Sequence, residues 1–204
     1  MTDGNAPGGI TPSQTVGPYF AYCMGGTEGY GTRELVTPNM VTADAAGARI
    51  RVSGQVFDGA GKPVADSMLE LWQADGNGRY ARPASTEKSN SAFTGFGRCG
   101  TKQDGSFIFD TVKPGQVQGP GGKMQAPHIN CGVFARGVVR RLHTRIYFEG
   151  ETGNFADPVL ALVPEERRVT LIARRDPAKD SGGVAAYRFD VRIQGADETV
   201  FFEA

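Results

Sequence analysis

Two histidines, His128 and His143, are the only imidazoles in the chain, so any chemistry that needs a general base or a nitrogen ligand to a metal depends on them. A Ser-His-Asp nucleophile would need one of them beside an activated serine, but the chain has no Gly-x-Ser-x-Gly motif. His143 lies in the alternating run 142–148, where a polar residue on one strand face is ordinary. Hydrolase chemistry of this kind is not expected.

Two glycine-rich segments have the shape of ligand loops but lack the side chains that such loops need. In segment 119–123, no glycine stands five residues before Gly122, and Met124 occupies the position of a magnesium-binding Ser or Thr. In segment 75–79, Arg79 occupies the position of an oxygen ligand to calcium. Neither a phosphate loop nor a calcium loop is therefore expected.

Composition excludes several classes of partner. Lys plus Arg and Asp plus Glu both number 22, which gives no net field for nucleic acid or an anionic membrane. The segment 1–10 has no signal-peptide pattern and no apolar run approaches the ~18 residues that span a bilayer, so a cytoplasmic protein is expected.

Cys23, Cys99 and Cys131 have no Cys-x-x-Cys spacing and are interpreted as buried thiols.

Short apolar runs separated by turn signals follow residue 49. The predicted strands are 50–57, 68–72, 106–109, 128–134, 142–148, 169–173, 187–193 and 199–202. No segment has a convincing helical period, and glycine, at 29 of 204 residues, is about twice its usual share of ~7%. These patterns predict an all-β sandwich or barrel with long loops.

Residues 1–48 form a predicted irregular N-terminal arm, rich in Gly, Pro, Thr and Asn. Its aromatic residues Tyr19, Phe20, Tyr22 and Tyr30 need a surface to pack on, either of this chain or of a partner. No linker divides the rest. We therefore predict a single domain in which an arm, 1–48, contacts a partner subunit and precedes a β-sandwich, 49–204.

Eight motifs in a fixed order resemble the intradiol ring-cleavage dioxygenase family, and together they span nearly the whole chain. They are TPSQTVGPYF at 11–20, GQVFDG at 54–59, LELWQADGNGRY at 69–80, GFGR at 95–98, TVKPG at 111–115, APHIN at 126–130, HTRIYF at 143–148 and YRFDVRIQG at 187–195. Each alone is weak, but the order is specific. The resemblance implies an intradiol dioxygenase-like β-sandwich.

The resemblance also implies a position at which catalytic family members hold non-haem Fe(III) with two tyrosinates and two histidines. Tyr80 and His128 match one ligand of each kind, but Val117 and Asn130 stand where the other two are expected, and Gln125 replaces an arginine. Because valine cannot ligate and an amide oxygen is a poor donor to ferric iron, we expect only a vestigial site and no metal in this chain. Alternatively, Tyr80 anchors a loop and His128 is a structural histidine.

The resemblance further implies that the arm reaches the iron site of a sister chain. This would place Thr15, Gly17, Pro18 and Tyr19 beside the bound substrate. A Gly-Pro turn fits there, since a residue without a side chain lets the backbone approach a flat ring.

Arg136 matches, by the same resemblance, an arginine that pairs with the carboxylate of the substrate at the subunit interface. Two other interpretations stay open. Arg136 could be a solvated residue at a strand end, or it could act with Arg140 and Arg141 as a general electrostatic funnel for anions.

The function implied is that of a non-catalytic, iron-free subunit. It would assemble with an iron-bearing β subunit into a hetero-oligomer and share an aromatic dihydroxy acid at the interface, where both atoms of O2 enter between the hydroxylated carbons. No catalytic residue is expected in this chain alone, and non-haem Fe(III) would belong to the partner. The alternatives are a non-enzymatic β-sandwich binding module and a self-sufficient iron dioxygenase with other ligands.

Overall fold

The computed structural model describes residues 36–81 and 93–203. Within these residues, strands dominate and the single α-helix has four residues. The strands are β1 (Arg49–Phe57), β2 (Met68–Gln73), β3 (Phe96–Gly100), β4 (Ser106–Val112), β5 (Val117–Gln118), β6 (Met124–Gln125), β7 (His128–Phe134), β8 (Leu142–Phe148), β9 (Ile172–Arg175), β10 (Ala185–Arg188) and β11 (Val191–Arg192). The helix is α1 (Glu165–Arg168), and 3-10 turns cover Pro120–Gly122, Thr152–Ala156, Leu160–Leu162, Val169–Leu171 and Pro177–Lys179.

The strands form two stacked halves of one continuous sheet. In the first half, β1 lies between antiparallel β4 and the parallel strands β10 and β11, and β9 pairs with β10. The second half has the order β8-β7-β2-β3, all antiparallel. A short parallel contact between β8 and β9 joins the halves. The predicted all-β sandwich is confirmed.

Period-two alternation places one face of each strand in the core. In β1 the buried positions are Ile50, Val52, Gly54 and Val56, and each alternates with a more exposed neighbour. The main core joins residues of both halves, including Phe107, Leu71 and Ile129, which are essentially inaccessible to solvent. The outer face of the second half is thereby left free for polar side chains.

The predicted strands 128–134 and 142–148 coincide with β7 and β8. Three other predictions are corrected. The run 169–173 begins with the 3-10 turn Val169–Leu171, the run 187–193 is broken at Phe189–Asp190, and 199–202 makes only an isolated bridge between Phe202 and His143. Strand β3 was not predicted.

The end of the predicted arm packs directly on the sandwich. The backbone N–H of Met40 donates to the carbonyl of Asp110 at 2.8 Å, and the Met40 side chain is buried in the main core. Its sulfur lies where a side chain on Gly97 would otherwise project.

The helices in the part of the chain that the structure describes are too short to span a membrane.

Candidate functional site

Three of the four residues matched to metal ligands, Tyr80, His128 and Asn130, lie on or beside the outer face of the second half-sheet. His128 and Asn130 are two residues apart on β7 and therefore project to the same side. Across the β7–β8 ladder, His128 pairs with Tyr147 and Asn130 pairs with Arg145. The intervening residue, Ile129, is buried in the core on the opposite face.

His128 is a buried, hydrogen-bonded histidine. Its Nδ1 lies 2.8 Å from the carbonyl oxygen of Ala126. Because a carbonyl only accepts, Nδ1 carries the proton and Nε2 is left as the acceptor. Burial lowers the pKa of His128 below its usual 6.5, the carbonyl of Ala126 opposes this shift, and the Arg145 charge reinforces it. The imidazole is therefore neutral at pH 7.

Tyr80 and Asn130 meet at the rim of this face. The Asn130 amide donates to the Trp72 carbonyl at 3.3 Å and approaches the Tyr80 hydroxyl at 3.5 Å. The Trp72 and Tyr80 rings make an edge contact with centroids 5.6 Å apart, and both side chains are exposed. Tyr80 thus follows the turn after β2 and reaches the matched site.

Arg145 lies beside Asn130 and contacts Gln125, the register partner of Val117. It stands opposite Asn130 on β8, and its Nη1 donates to the Gln125 Oε1 at 2.6 Å. Gln125 is in turn paired in register with the buried Val117 across β5 and β6. The guanidinium makes no ion pair with any described residue, so a half-buried positive charge remains in the site.

Tyr147 and Asp157 complete the floor of the site. The Tyr147 hydroxyl donates to the Asp157 Oδ1 at 3.1 Å, and Arg145 Nη1 approaches the same hydroxyl at 3.5 Å. Burial, with the charge of Asp157, raises the pKa of Tyr147 well above its usual value, although Arg145 opposes the shift. Tyr147 is therefore a neutral hydrogen-bond donor rather than a tyrosinate.

This arrangement does not fit ferric iron. Of the four matched positions, Tyr80 and His128 offer donor atoms, Val117 offers none and Asn130 offers only an amide. The Arg145 guanidinium, which stands opposite Asn130 and contacts Gln125, adds a positive charge to the same face and opposes the binding of a trivalent cation. No cluster of three or more His, Cys, Asp or Glu side chains suited to a metal occurs in the part of the chain that the structure describes.

Arg136 lies apart from this group. It follows the end of β7, whereas His128 begins that strand, so the two are separated by roughly 20 Å of strand. Its side chain is 76% exposed, and its Nε lies 2.9 Å from the Asp66 Oδ2. The structure therefore does not bring Arg136 to the matched metal position of its own chain. Thr15, Gly17, Pro18 and Tyr19 lie outside the described residues.

A cavity of about 430 Å³ lies elsewhere, on the outer face of the first half-sheet. Its lining contains none of the residues predicted for the site: Val169, Thr170, Ile172, Arg174, Arg188, Phe189, Asp190, Arg192, Asp197 and Thr199. The interpretation of the cysteines as buried thiols is confirmed for Cys131, whose pKa burial raises to about 12, and is corrected for Cys99, which is partly exposed; Cys23 lies outside the described residues.

Sequence reasoning missed Arg145, Tyr147 and Asp157. A signal for the first two was present, because β8 alternates His143, Arg145 and Tyr147 along one face. The pairing of that face with His128 depends on the β7–β8 register, which was not predicted. Asp157 follows a 3-10 turn and carried no local signal.

Comparison with known proteins places this site in a family context. The family model described as Dioxygenase matches residues 16–195. The chain is 50% identical over 198 residues to the protocatechuate 3,4-dioxygenase alpha chain of Burkholderia cepacia, covering 95% of this chain and 96% of that protein. It is 34% identical over 184 residues to the protocatechuate 3,4-dioxygenase beta chain of the same organism, covering 83% and 77%.

Among solved structures, the dioxygenase domain of a carbohydrate-binding fusion protein from Streptomyces sp. SirexAA-E is similar, with a TM-score of 0.60 and 28% identity. The match covers 91% of this chain and 99% of that domain. The fold, the family match and the full-length relatives agree with the order of motifs in the sequence. The chain therefore belongs to the intradiol ring-cleavage dioxygenase family.

Proposed function

We propose that this chain is the iron-free α subunit of a protocatechuate 3,4-dioxygenase. Assembled with an iron-bearing β subunit, it would take part in the conversion of protocatechuate and O2 to 3-carboxy-cis,cis-muconate. The observation that carries the proposal is the combination of a family fold with a broken ligand set, in which Val117, Asn130 and the Arg145 guanidinium replace the features that iron needs.

The relatives support the proposed partner. One protein family contains both an alpha chain that is 50% identical to this chain and a beta chain that is 34% identical. Two related chains of one enzyme are expected to associate through a large interface. Non-haem Fe(III) would then belong to the partner, where it would supply the oxygen chemistry.

This chain would contribute pocket residues rather than metal ligands. Arg136 has the necessary properties, since its guanidinium lies on the surface, far from the chain's own matched metal position. A guanidinium is suited to pair with the substrate carboxylate. The arm residues Thr15, Gly17, Pro18 and Tyr19 would lie against the substrate ring, as the motif at 11–20 implies.

Metal analysis of the assembled complex tests the subunit assignment. The chain would be co-expressed with a candidate β subunit, purified through a tag on this chain alone, and compared with the chain purified by itself. We expect one iron per αβ unit in the complex and none in the lone chain. Stoichiometric iron in the lone chain would support a self-sufficient dioxygenase, and failure to co-purify would support a separate binding module.

Steady-state kinetics of the complex test the role of Arg136. Arg136→Ala should raise the KM for protocatechuate about tenfold or more, because the substrate loses a charge-assisted pair, and leave iron content unchanged. Catechol lacks the carboxylate, so its turnover should change little. Arg174→Ala, at an exposed arginine elsewhere on the sandwich, is the matched control. Equal losses with both substrates would exclude carboxylate pairing.

A further inference from the structure

Asp66 and Arg136 are brought together by the register of the central ladder. Strands β2 and β7 pair antiparallel, and the last pair joins Met68 to Phe134. Two residues further out on each side, the same register sets Asp66 opposite Arg136. The ion pair between them, with Arg136 Nε 2.9 Å from Asp66 Oδ2, is thus a consequence of the strand pairing.

The backbone on both sides of this ion pair is anchored. Ser67 is buried, and its N–H donates to the Thr101 Oγ1 at 3.0 Å. Ala135 is also buried, and its carbonyl accepts from Val138 at 3.1 Å to close the turn after β7. Gly137 allows that turn, since its φ is +80°. Two side chains with exposed ends therefore project from two fixed positions.

The geometry leaves one edge of the Arg136 guanidinium open. Asp66 approaches the guanidinium at Nε, with its Oδ2 2.9 Å away, and the Arg136 side chain is 76% exposed. A guanidinium has five N–H donors in a planar fork, so a pair at Nε leaves the Nη donors for a second acceptor. The carboxylate of a ligand can therefore bind Arg136 without displacing Asp66.

We propose that Asp66 is a positioning residue for the substrate carboxylate. It holds the Arg136 side chain so that the Nη edge faces outward, toward the substrate pocket that the partner completes. This inference rests on the proposed function, because it assumes that Arg136 meets a carboxylated substrate. An exposed ion pair such as this contributes little to folding stability, so orientation is the effect that remains.

Positioning and general electrostatic attraction predict opposite effects of removing the Asp66 charge. Arg140 and Arg141 are exposed beside this turn, and Asp66 reduces the local positive potential. If the three arginines only attract anions, Asp66→Asn should lower the KM for protocatechuate. If Asp66 orients Arg136, the same change should raise the KM, because the guanidinium loses its fixed geometry.

The test is steady-state kinetics of the αβ complex with protocatechuate and with catechol. We expect Asp66→Asn to raise the KM for protocatechuate about fivefold, with kcat, iron content and catechol kinetics little changed. Asp66→Glu should recover part of the effect. Asp197→Asn, at an exposed aspartate beside the cavity on the first half-sheet, is the control. In an Arg136→Ala background, Asp66→Asn should have no further effect.

The outcomes separate the two proposals. If Arg136→Ala leaves the KM unchanged, the carboxylate role proposed for Arg136 is wrong, whatever Asp66 does. If Arg136→Ala raises the KM but Asp66→Asn leaves it unchanged or lowers it, the positioning role alone is overturned. Loss of assembly or a lower melting temperature with Asp66→Asn would also overturn it, since the pair would then be structural.

Discussion

The Arg145 guanidinium donates to the Gln125 side chain at 2.6 Å and so links β8 to β6, the strands that pair with the two strands carrying Asn130 and Val117. Gln125 pairs with Val117 on one side, and Arg145 stands opposite Asn130 on the other. The site thus carries a permanent positive charge, which opposes the binding of a metal cation. This relationship suggests why restoring ligands alone would not restore a metal site.

The first prediction concerns iron binding by a repaired site. Val117→Tyr with Asn130→His should give a chain that still binds substoichiometric iron, because the Arg145 charge repels a trivalent cation. Adding Arg145→Gln should increase the iron content and produce the visible absorbance of tyrosinate bound to Fe(III). Metal analysis of the double variant, the triple variant and the Arg145→Gln control measures the iron content of each chain. Equal iron content with and without Arg145 would refute the charge argument.

The second prediction concerns Gly54, which lies where β1 passes the break between β10 and β11. A Cβ on Gly54 would stand 1.7 Å from the backbone oxygen of Phe189. Gly54→Ala must therefore push β1 away from the backbone of Phe189. It should lower the free energy of unfolding by about 2 to 4 kcal/mol. Urea unfolding measures it.

Gly100→Ala is the matched control for Gly54, since a Cβ there meets nothing within 4 Å. It should change stability by less than about 0.5 kcal/mol. If Gly54→Ala has the same urea midpoint of unfolding as the wild type, the backbone around Gly54 adjusts freely to the added side chain.

Local patterns predicted β2, β7 and β8 of the second half, but neither β3 nor the interruptions of the first half. Strands β7 and β8 alternate cleanly, and their bounds follow from sequence. The run 187–193 also alternates, yet it breaks because the Asp190 carboxylate accepts the backbone N–H of Gln55 at 3.0 Å. That contact joins residues far apart in the chain, so no local period contains it.

The candidate site shows the same difference between local patterns, which can be predicted, and long-range contacts, which cannot. Tyr80, His128, Val117 and Asn130 could be placed by matching motifs, and three of them lie on or beside the outer face of β7. Arg145 could not, because its role depends on a side-chain contact with Gln125 across twenty positions of sequence. Motif matching identifies what a site has lost more readily than what has replaced it.

The third prediction concerns Gln73, a fully buried side chain that joins the two halves of the sandwich. Its Nε2 donates to the carbonyls of Ala74 and Val112 at 2.9 and 2.8 Å, and its Oε1 accepts from the Thr111 hydroxyl at 2.8 Å. Gln73→Leu leaves those groups without partners and should cost about 2 to 4 kcal/mol in unfolding free energy.

Thr111→Val in the Gln73→Leu background should recover part of that loss, because the orphaned hydroxyl is removed. Gln103→Leu, at an exposed turn, is the control and should be near neutral. Chemical denaturation of the four chains gives the comparison. No recovery in the double variant would show that the lost Val112 contact, not the hydroxyl, dominates.

The last prediction concerns stability against acid. Burial lowers the pKa of His128 below its usual 6.5, and burial with the charges of Arg141 and Arg145 does the same for His143. The unfolded chain therefore binds protons more readily than the folded chain. The stability that the neutral imidazoles contribute is complete above about pH 6.5 and is lost as the pH falls toward the folded pKa values.

Urea unfolding at a series of pH values from about 7.5 to 5.5 measures this loss, and His128→Gln should reduce the slope because one of the two imidazoles no longer titrates. His143→Gln, at a less buried site, should reduce it less. Since the chain has only two histidines, their ring protons can also be followed directly by NMR. A folded His128 that titrates at or above 6.5 would contradict the assigned burial, and with it the neutral Nε2 that the site geometry requires.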